Sequence, residues 1–279
     1  MATLYEIILE HEDREYARQA SAACFQLLAE IETDLSRFIE NSDISRIAVL
    51  KAGERLVLGV HSTACLDRAM AMFRATGGAF NIAYLSAGSA DFEGGEVYHL
   101  DPQTSVFESR VDGLKLDLGG IGKGYALDCM AELLQEWELD RALLQGGRSS
   151  VLALDGPQGE GGWPLSISAP GAGRQLLGRP SLRRQAMAAS GLQKGAHIRP
   201  PAGRGEEPIS AVLATWAIGH PAAEMDAMST AAMLLDPHLL EECCAALDCT
   251  VARLERPAVE GSSPQTQLVK YGPGRERFD

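Results

Sequence analysis

Leu116-Asp117-Leu118-Gly119-Gly120-Ile121-Gly122-Lys123-Gly124-Tyr125 reads as a strand that runs into a glycine-rich turn and then into a helix. Behind the turn, Ala126, Cys129, Met130, Leu133, Leu134 and Trp137 recur at three- and four-residue spacing, which predicts one apolar helical face. Such a junction lets backbone amides approach a phosphate, and the helix N-terminus favours negative charge. The stretch fits neither of two familiar nucleotide loops. Asp117 stands where a Walker A loop needs Gly, Gly124 where it needs Ser or Thr, and Tyr125 where the dinucleotide fingerprint needs Gly. Two readings remain open: a phosphate cradle flanked by Asp117 and Lys123, or a close-packed turn beside a solvated lysine.

Outward from this junction, strands and helices mix without regular βαβ alternation, so the chain reads as α+β. An opening strand is expected over 3–10. Tyr16, Ala20, Cys24, Leu28, Ile31, Leu35 and Phe38 then mark one face of a long helix. Residues 46–60 fit two short strands around the Lys51–Glu54 turn. A helix carrying Leu66, Ala69, Met70 and Phe73 ends at Gly77-Gly78. Strands are expected within 95–118, with Asp112-Gly113 as a tight turn, and at 141–145, 150–154 and 164–168. Residues 170–208, rich in Gly, Pro and Arg, read as a long irregular surface segment. A strand at 211–218, helices at 226–235 and 238–246, and a strand at 250–254 follow. One domain over 1–256 and a polar, frayed tail over 257–279 are expected.

Composition narrows the class of partner. The 279 residues are 46% hydrophobic and 23% charged, proportions of a globular chain rather than a disordered one. The net charge of −13 has no basic block to offset it, which speaks against nucleic acid or anionic lipid as the main partner. No apolar run is long enough to span a bilayer. Six scattered cysteines form no CxxC pair and read as buried thiols in a reducing compartment. The start MATLYEIILE has no basic n-region and no long apolar stretch, so the chain as given is expected in the cytoplasm. Its oligomeric state is not legible.

Asp226-Ala227-Met228-Ser229-Thr230 is the second constellation. On a helix Asp226 and Thr230 share a face one turn apart. A carboxylate and a hydroxyl so placed offer two hard oxygens to Mg²⁺. The competing reading makes Asp226 the N-cap of its helix and Thr230 a surface residue. The third element is Ala189-Ser190-Gly191, followed by His197-Ile198-Arg199-Pro200-Pro201. His197, if it reaches the site, can accept a proton from an attacking hydroxyl. No HExxH zinc pattern and no GxSxG elbow occurs.

Taken in order, these segments resemble the FAD:protein FMN transferases, the ApbE family, from the N-terminus to about residue 235. Leu116 to Asp128 is close to that family's DLGGIAKGYAVD signature, and Asp226 to Ala231 to its DALSTA. Leu35-Ser36-Arg37-Phe38, Thr76 to Asn81 and the strand ending in Gly146-Gly147 are supporting matches. The resemblance implies an α+β fold of mixed sheets and helices, two interlocked halves with the active site in the cleft between them. It implies Mg²⁺ and, as substrate, FAD, whose FMN moiety passes to a Thr or Ser hydroxyl of a target flavoprotein with release of AMP. By the same resemblance Asp117 and Lys123 contact FAD, and Phe38, Ala79, Phe80 and Asn81 line its pocket. Gly120, Asp226 and Thr230 hold Mg²⁺, and His197 joins Lys123 as a catalytic residue. The chain departs from the pattern at Asn81 and Arg148, where Asp and Asp or Asn are usual. It departs again at Ala189, and at Pro200, Ala202 and Gly203 after His197. Hydrolysis of FAD to FMN and AMP, or flavin binding without catalysis, are the alternatives these departures raise.

Overall fold

The computed structural model describes residues 3–86, 96–170, 175–192, 211–256 and 266–279. Its centre is a seven-stranded sheet in the order β1 (Tyr5–Leu9), β5 (Ala142–Gly146), β6 (Ser150–Ala153), β11 (Gln185–Gly191), β12 (Val212–Gly219), β13 (Thr250–Glu255) and β14 (Gln267–Tyr271). Every pair in it is antiparallel. A smaller sheet joins β2 (Arg55–Val57), β4 (Val106–Ser109) and β3 (Tyr98–Asp101). The pairs β7 (Trp163–Pro164) with β10 (Ser181–Leu182), and β8 (Ile167–Ser168) with β9 (Leu176–Gly178), complete the strands. The fold is α+β, as the mixed order of elements implies.

Side chains alternate across the large sheet with the two-residue period of a pleated strand. Leu144, Leu152, Ala186, Ala188 and Ala217 project to one face, where the helices bury them in the main core. Those helices are α1 (Arg14–Leu35), α3 (Val60–Ala75), α4 (Gly122–Glu136), α5 (Ala222–Ala231) and α6 (Pro237–Ala246). Leu143, Ala153, Trp216, Ile218 and Leu254 project to the opposite face, where Trp163, Ile167, Leu182 and Phe278 cover them. The period also assigns the polar residues of these strands. Ser150, Ser190 and Thr215 share the register of the upper face and therefore point at α5.

Several expectations need correction. Residues 46 and 47, expected to open a strand, instead end a short helix, α2 (Asp43–Ile47), because the Ser42 hydroxyl accepts from the Ser45 amide and caps it. Helix α1 stops at Leu35, so Phe38 leaves its face and is 79% exposed. The segment 170–208 is not irregular throughout. Its residues 185–191 are a central strand whose helix-facing Ala186, Ala188 and Ser190 are small, and that smallness lets α5 lie close on it. The helix expected at 226–235 begins four residues earlier, at Ala222. Residues 266–279 are not a frayed tail: the whole of β14 pairs with β13, and Phe278 is buried in the lower core.

Candidate active site

Helix α4 opens without a cap of its own, since Ile121 supplies no side-chain acceptor. The acceptor comes from α5: Asp226 Oδ2 takes the Gly124 amide at 3.2 Å. The favour is returned at the other end of the contact. Asp128 of α4 takes the Ala222 and Ala223 amides at 2.8 and 3.0 Å, capping α5, whose own N-cap Pro221 offers nothing. The two helix N-termini thus each bind a carboxylate from the other, a favourable placement of negative charge. Gly124 is needed at the crossing, because a Cβ there would collide with the Ala222 carbonyl oxygen. The close-packing reading of the glycine-rich turn and the N-cap reading of Asp226 are both partly right, but the capped helix is α4.

The rest of the Asp226 carboxylate is also engaged. It is 2% exposed and accepts from Ser150 Oγ at 3.0 Å and from Lys123 Nζ at 3.0 and 3.2 Å. The same ammonium donates to the Gly119 carbonyl at 2.9 Å, so Lys123 is held against the turn rather than solvated. Tyr5, across the sheet edge from Gly146, has its hydroxyl pKa raised by burial and then by the Asp226 charge. One turn further along α5, Thr230 Oγ1 lies 3.2 Å from Ser190 Oγ and 3.4 Å from the Asp226 carbonyl. Gly120 faces it closely: a Cβ on Gly120 would sit 3.1 Å from Thr230 Oγ1 and 3.2 Å from the ring edge of Phe80. The structure therefore brings Phe80, Gly120, Lys123, Asp226 and Thr230 into one group.

Asp117 stands at the outer end of the same turn. Its carboxylate accepts from the Gly119 amide at 3.0 Å and from Arg37 and the Tyr84 hydroxyl, each at 3.2 Å. Arg37 also lies over the Phe38 ring at 5.0 Å, which puts that exposed aromatic at the rim beside Asp117. Ala79 is buried. Asn81 turns inward on its own chain, its Oδ1 accepting from the Ala83 amide at 2.8 Å. His197 and the altered positions 200, 202 and 203 lie outside the described residues. Sequence reasoning missed Arg37, Tyr84 and Ser150 as members of the group, and gave no role to Ser190 of the third element. Strand periodicity could have found the two serines, whereas nothing in the sequence marks Tyr84.

The donor set suits a hard divalent cation. Asp226, Thr230 and Gly120 offer carboxylate, hydroxyl and carbonyl oxygen, the ligand types Mg²⁺ selects. The narrow gap between Gly120 and Thr230 is one that any larger residue at 120 would fill. A buried carboxylate that already requires a compensating cation is a further sign of fit. Among the described residues no group of three or more His, Cys, Asp or Glu could hold a metal, so a thiolate- or imidazole-type centre has no counterpart there. No helix among them is long and apolar enough to cross a membrane.

Known structures share this architecture. The chain is similar to flavin transferase ApbE from Vibrio cholerae, with a TM-score of 0.83 and 17% identity, over 100% of this chain and 96% of that one. Flavinyl transferase ApbE from Pseudomonas stutzeri gives 0.81 and 18% over 98% and 92% of the two chains. The ApbE protein from Thermotoga maritima gives 0.76 and 19% over 99% and 96%. The fold is thus the one these ApbE proteins adopt. No curated protein sequence matches. A sequence profile of the ApbE family matches residues 1–252, and the chain belongs to that family.

Proposed function

We propose that the protein is a Mg²⁺-dependent FAD:protein FMN transferase, which attaches FMN from FAD to a Thr or Ser of a target flavoprotein and releases AMP. The observation that carries this reading is the meeting of Lys123, Asp226, Thr230 and Gly120 at the start of α4, in a member of the ApbE family. In the reaction the acceptor hydroxyl oxygen forms a bond to the FMN phosphorus while the bond from that phosphorus to the bridging oxygen breaks. AMP leaves with the bridging oxygen, and the hydroxyl proton passes to a base, the role assigned to His197. Such transfers depend on positioning and on neutralising charge.

The chain's residues divide that work. Lys123 places one positive charge beside the turn, where the ammonium can meet a phosphate oxygen of the leaving group. Amides of the glycine-rich turn add neutral donors. Phe38 offers exposed aromatic surface to the flavin at the rim, while the buried Phe80 ring backs Gly120 from inside. Asp117 holds Arg37 and Tyr84 in place at the mouth. Gly120, Asp226 and Thr230 would hold the cation, which when bound supplies Lewis-acid stabilisation to the phosphate oxygens.

The test is co-expression with candidate flavin-dependent proteins, followed by intact-mass and peptide mass spectrometry of each. The expected outcome is an adduct of FMN mass on a Thr or Ser, absent when this protein is omitted. Incubation with FAD and Mg²⁺ alone separates the alternative, since free FMN and AMP without an acceptor indicate hydrolysis. No adduct across plausible acceptors would overturn the transferase reading.

A further inference from the structure

The Lys123 ammonium spends all three of its donors on the Gly119 carbonyl and the two Asp226 oxygens, at 2.9, 3.2 and 3.0 Å. Asp226 is almost fully buried and Lys123 largely so, with side chains 3% and 18% exposed. An ammonium among oxygens at these distances occupies the place of a cation, and it does so on the one carboxylate of the Gly120–Asp226–Thr230 donor set. Two positive charges close together on that carboxylate repel each other, so each weakens the hold of the other. Lys123 is also on a flexible four-carbon stem, at the second residue of α4, where it can turn toward an anion above the turn.

We infer that Lys123 is a place-holding cation, which neutralises Asp226 until a dinucleotide pyrophosphate draws it off and so frees the carboxylate for the divalent metal. The inference rests on the transferase reading and adds to it a rule of assembly: metal and dinucleotide bind cooperatively, because each favours the same position of Lys123. By linkage the coupling is reciprocal, and it operates on affinity, apart from any effect on turnover. Without Lys123 the buried carboxylate is an uncompensated charge, so a metal alone can take its place.

The experiment measures Mn²⁺ binding by the decrease of the free-ion electron paramagnetic resonance signal, with and without saturating FAD. In the unaltered protein, Mn²⁺ is expected to bind weakly alone and about tenfold or more tightly with FAD. Lys123→Met should bind Mn²⁺ alone about tenfold more tightly than the unaltered protein does. It should also melt at lower temperature in EDTA and recover more on adding Mg²⁺ than the unaltered protein recovers. Lys123→Gln, which keeps a neutral donor, serves if the Met variant does not fold, and should shift Mn²⁺ affinity in the same direction. Arg68→Met removes a nearby cation that touches Asp128 and Glu224 rather than Asp226, and should leave Mn²⁺ affinity nearly unchanged.

Equal or weaker Mn²⁺ binding by a folded Lys123 variant overturns the inference while leaving the transferase reading intact. An equal gain in Arg68→Met overturns it too, since the effect would then be one of general field. No Mn²⁺ binding by the unaltered protein in either condition overturns the metal reading and the inference together.

Discussion

At the scale of single residues, Asp226 carries several roles on one carboxylate. It caps a neighbouring helix, accepts from Ser150 and pairs with Lys123. As a cap alone, its loss would cost only about 1 kcal/mol. Its burial changes that arithmetic, because removing one member of a buried pair strands the other charge. Asp226→Ala is expected to destabilise the protein by about 3 kcal/mol and to abolish both Mn²⁺ binding and FMN transfer. Urea unfolding of the variant beside the parent measures the first, and the adduct assay the second. A loss of transfer without a loss of stability would mean that Lys123 finds another partner.

At the scale of elements, the crossing of α4 and α5 explains both what the sequence disclosed and what it hid. Helical periodicity marked α4, and the Asp226–Thr230 spacing put two oxygens on one face, because both signals are local. The start of α5 was misplaced because its cap comes from Asp128, some ninety positions away, and no local acceptor announces it. Strand β11 was missed because Ala186, Ala188 and Ala189 have little strand propensity; Ala186 and Ala188 are small because a helix presses on their face. Arg37 and Tyr84 join Asp117 only through tertiary structure. Burial pushes the Asp128 carboxyl up to about 6 from 3.8, while the Ala223 and Ala222 amides and Arg68 pull the other way. Between those values the native state holds more protons than the unfolded chain. The stabilisation from this group is therefore complete below pH 4 or so and is lost as pH rises through about 6. Asp128→Asn does not titrate. Its stability relative to the parent should therefore climb by about 2 kcal/mol between pH 4 and pH 7, as urea midpoints at each pH would show. A constant difference across that range would refute the assignment.

At the scale of the whole molecule, the central sheet has a separate core on each face, and the candidate site belongs to the helical one. The opposite core is closed by the C-terminal residues, where Phe278 packs with Trp163, Leu182, Trp216 and Leu254. Phe278→Ala is expected to lower stability by about 3 kcal/mol, read as a fall in the urea midpoint. FAD affinity of the folded protein should stay unchanged, because none of the described site residues lies on that face. The order of the sheet also has a bearing on how the protein is made. Tyr5, at the first strand, waits for Gly146 before it can pair, and Asp226 reaches Lys123 across more than a hundred positions. A chain emerging from the ribosome therefore has the glycine-rich turn long before it has the carboxylate. Nascent fragments ending short of α5 should carry no competent flavin site, so premature termination yields products unable to sequester FAD.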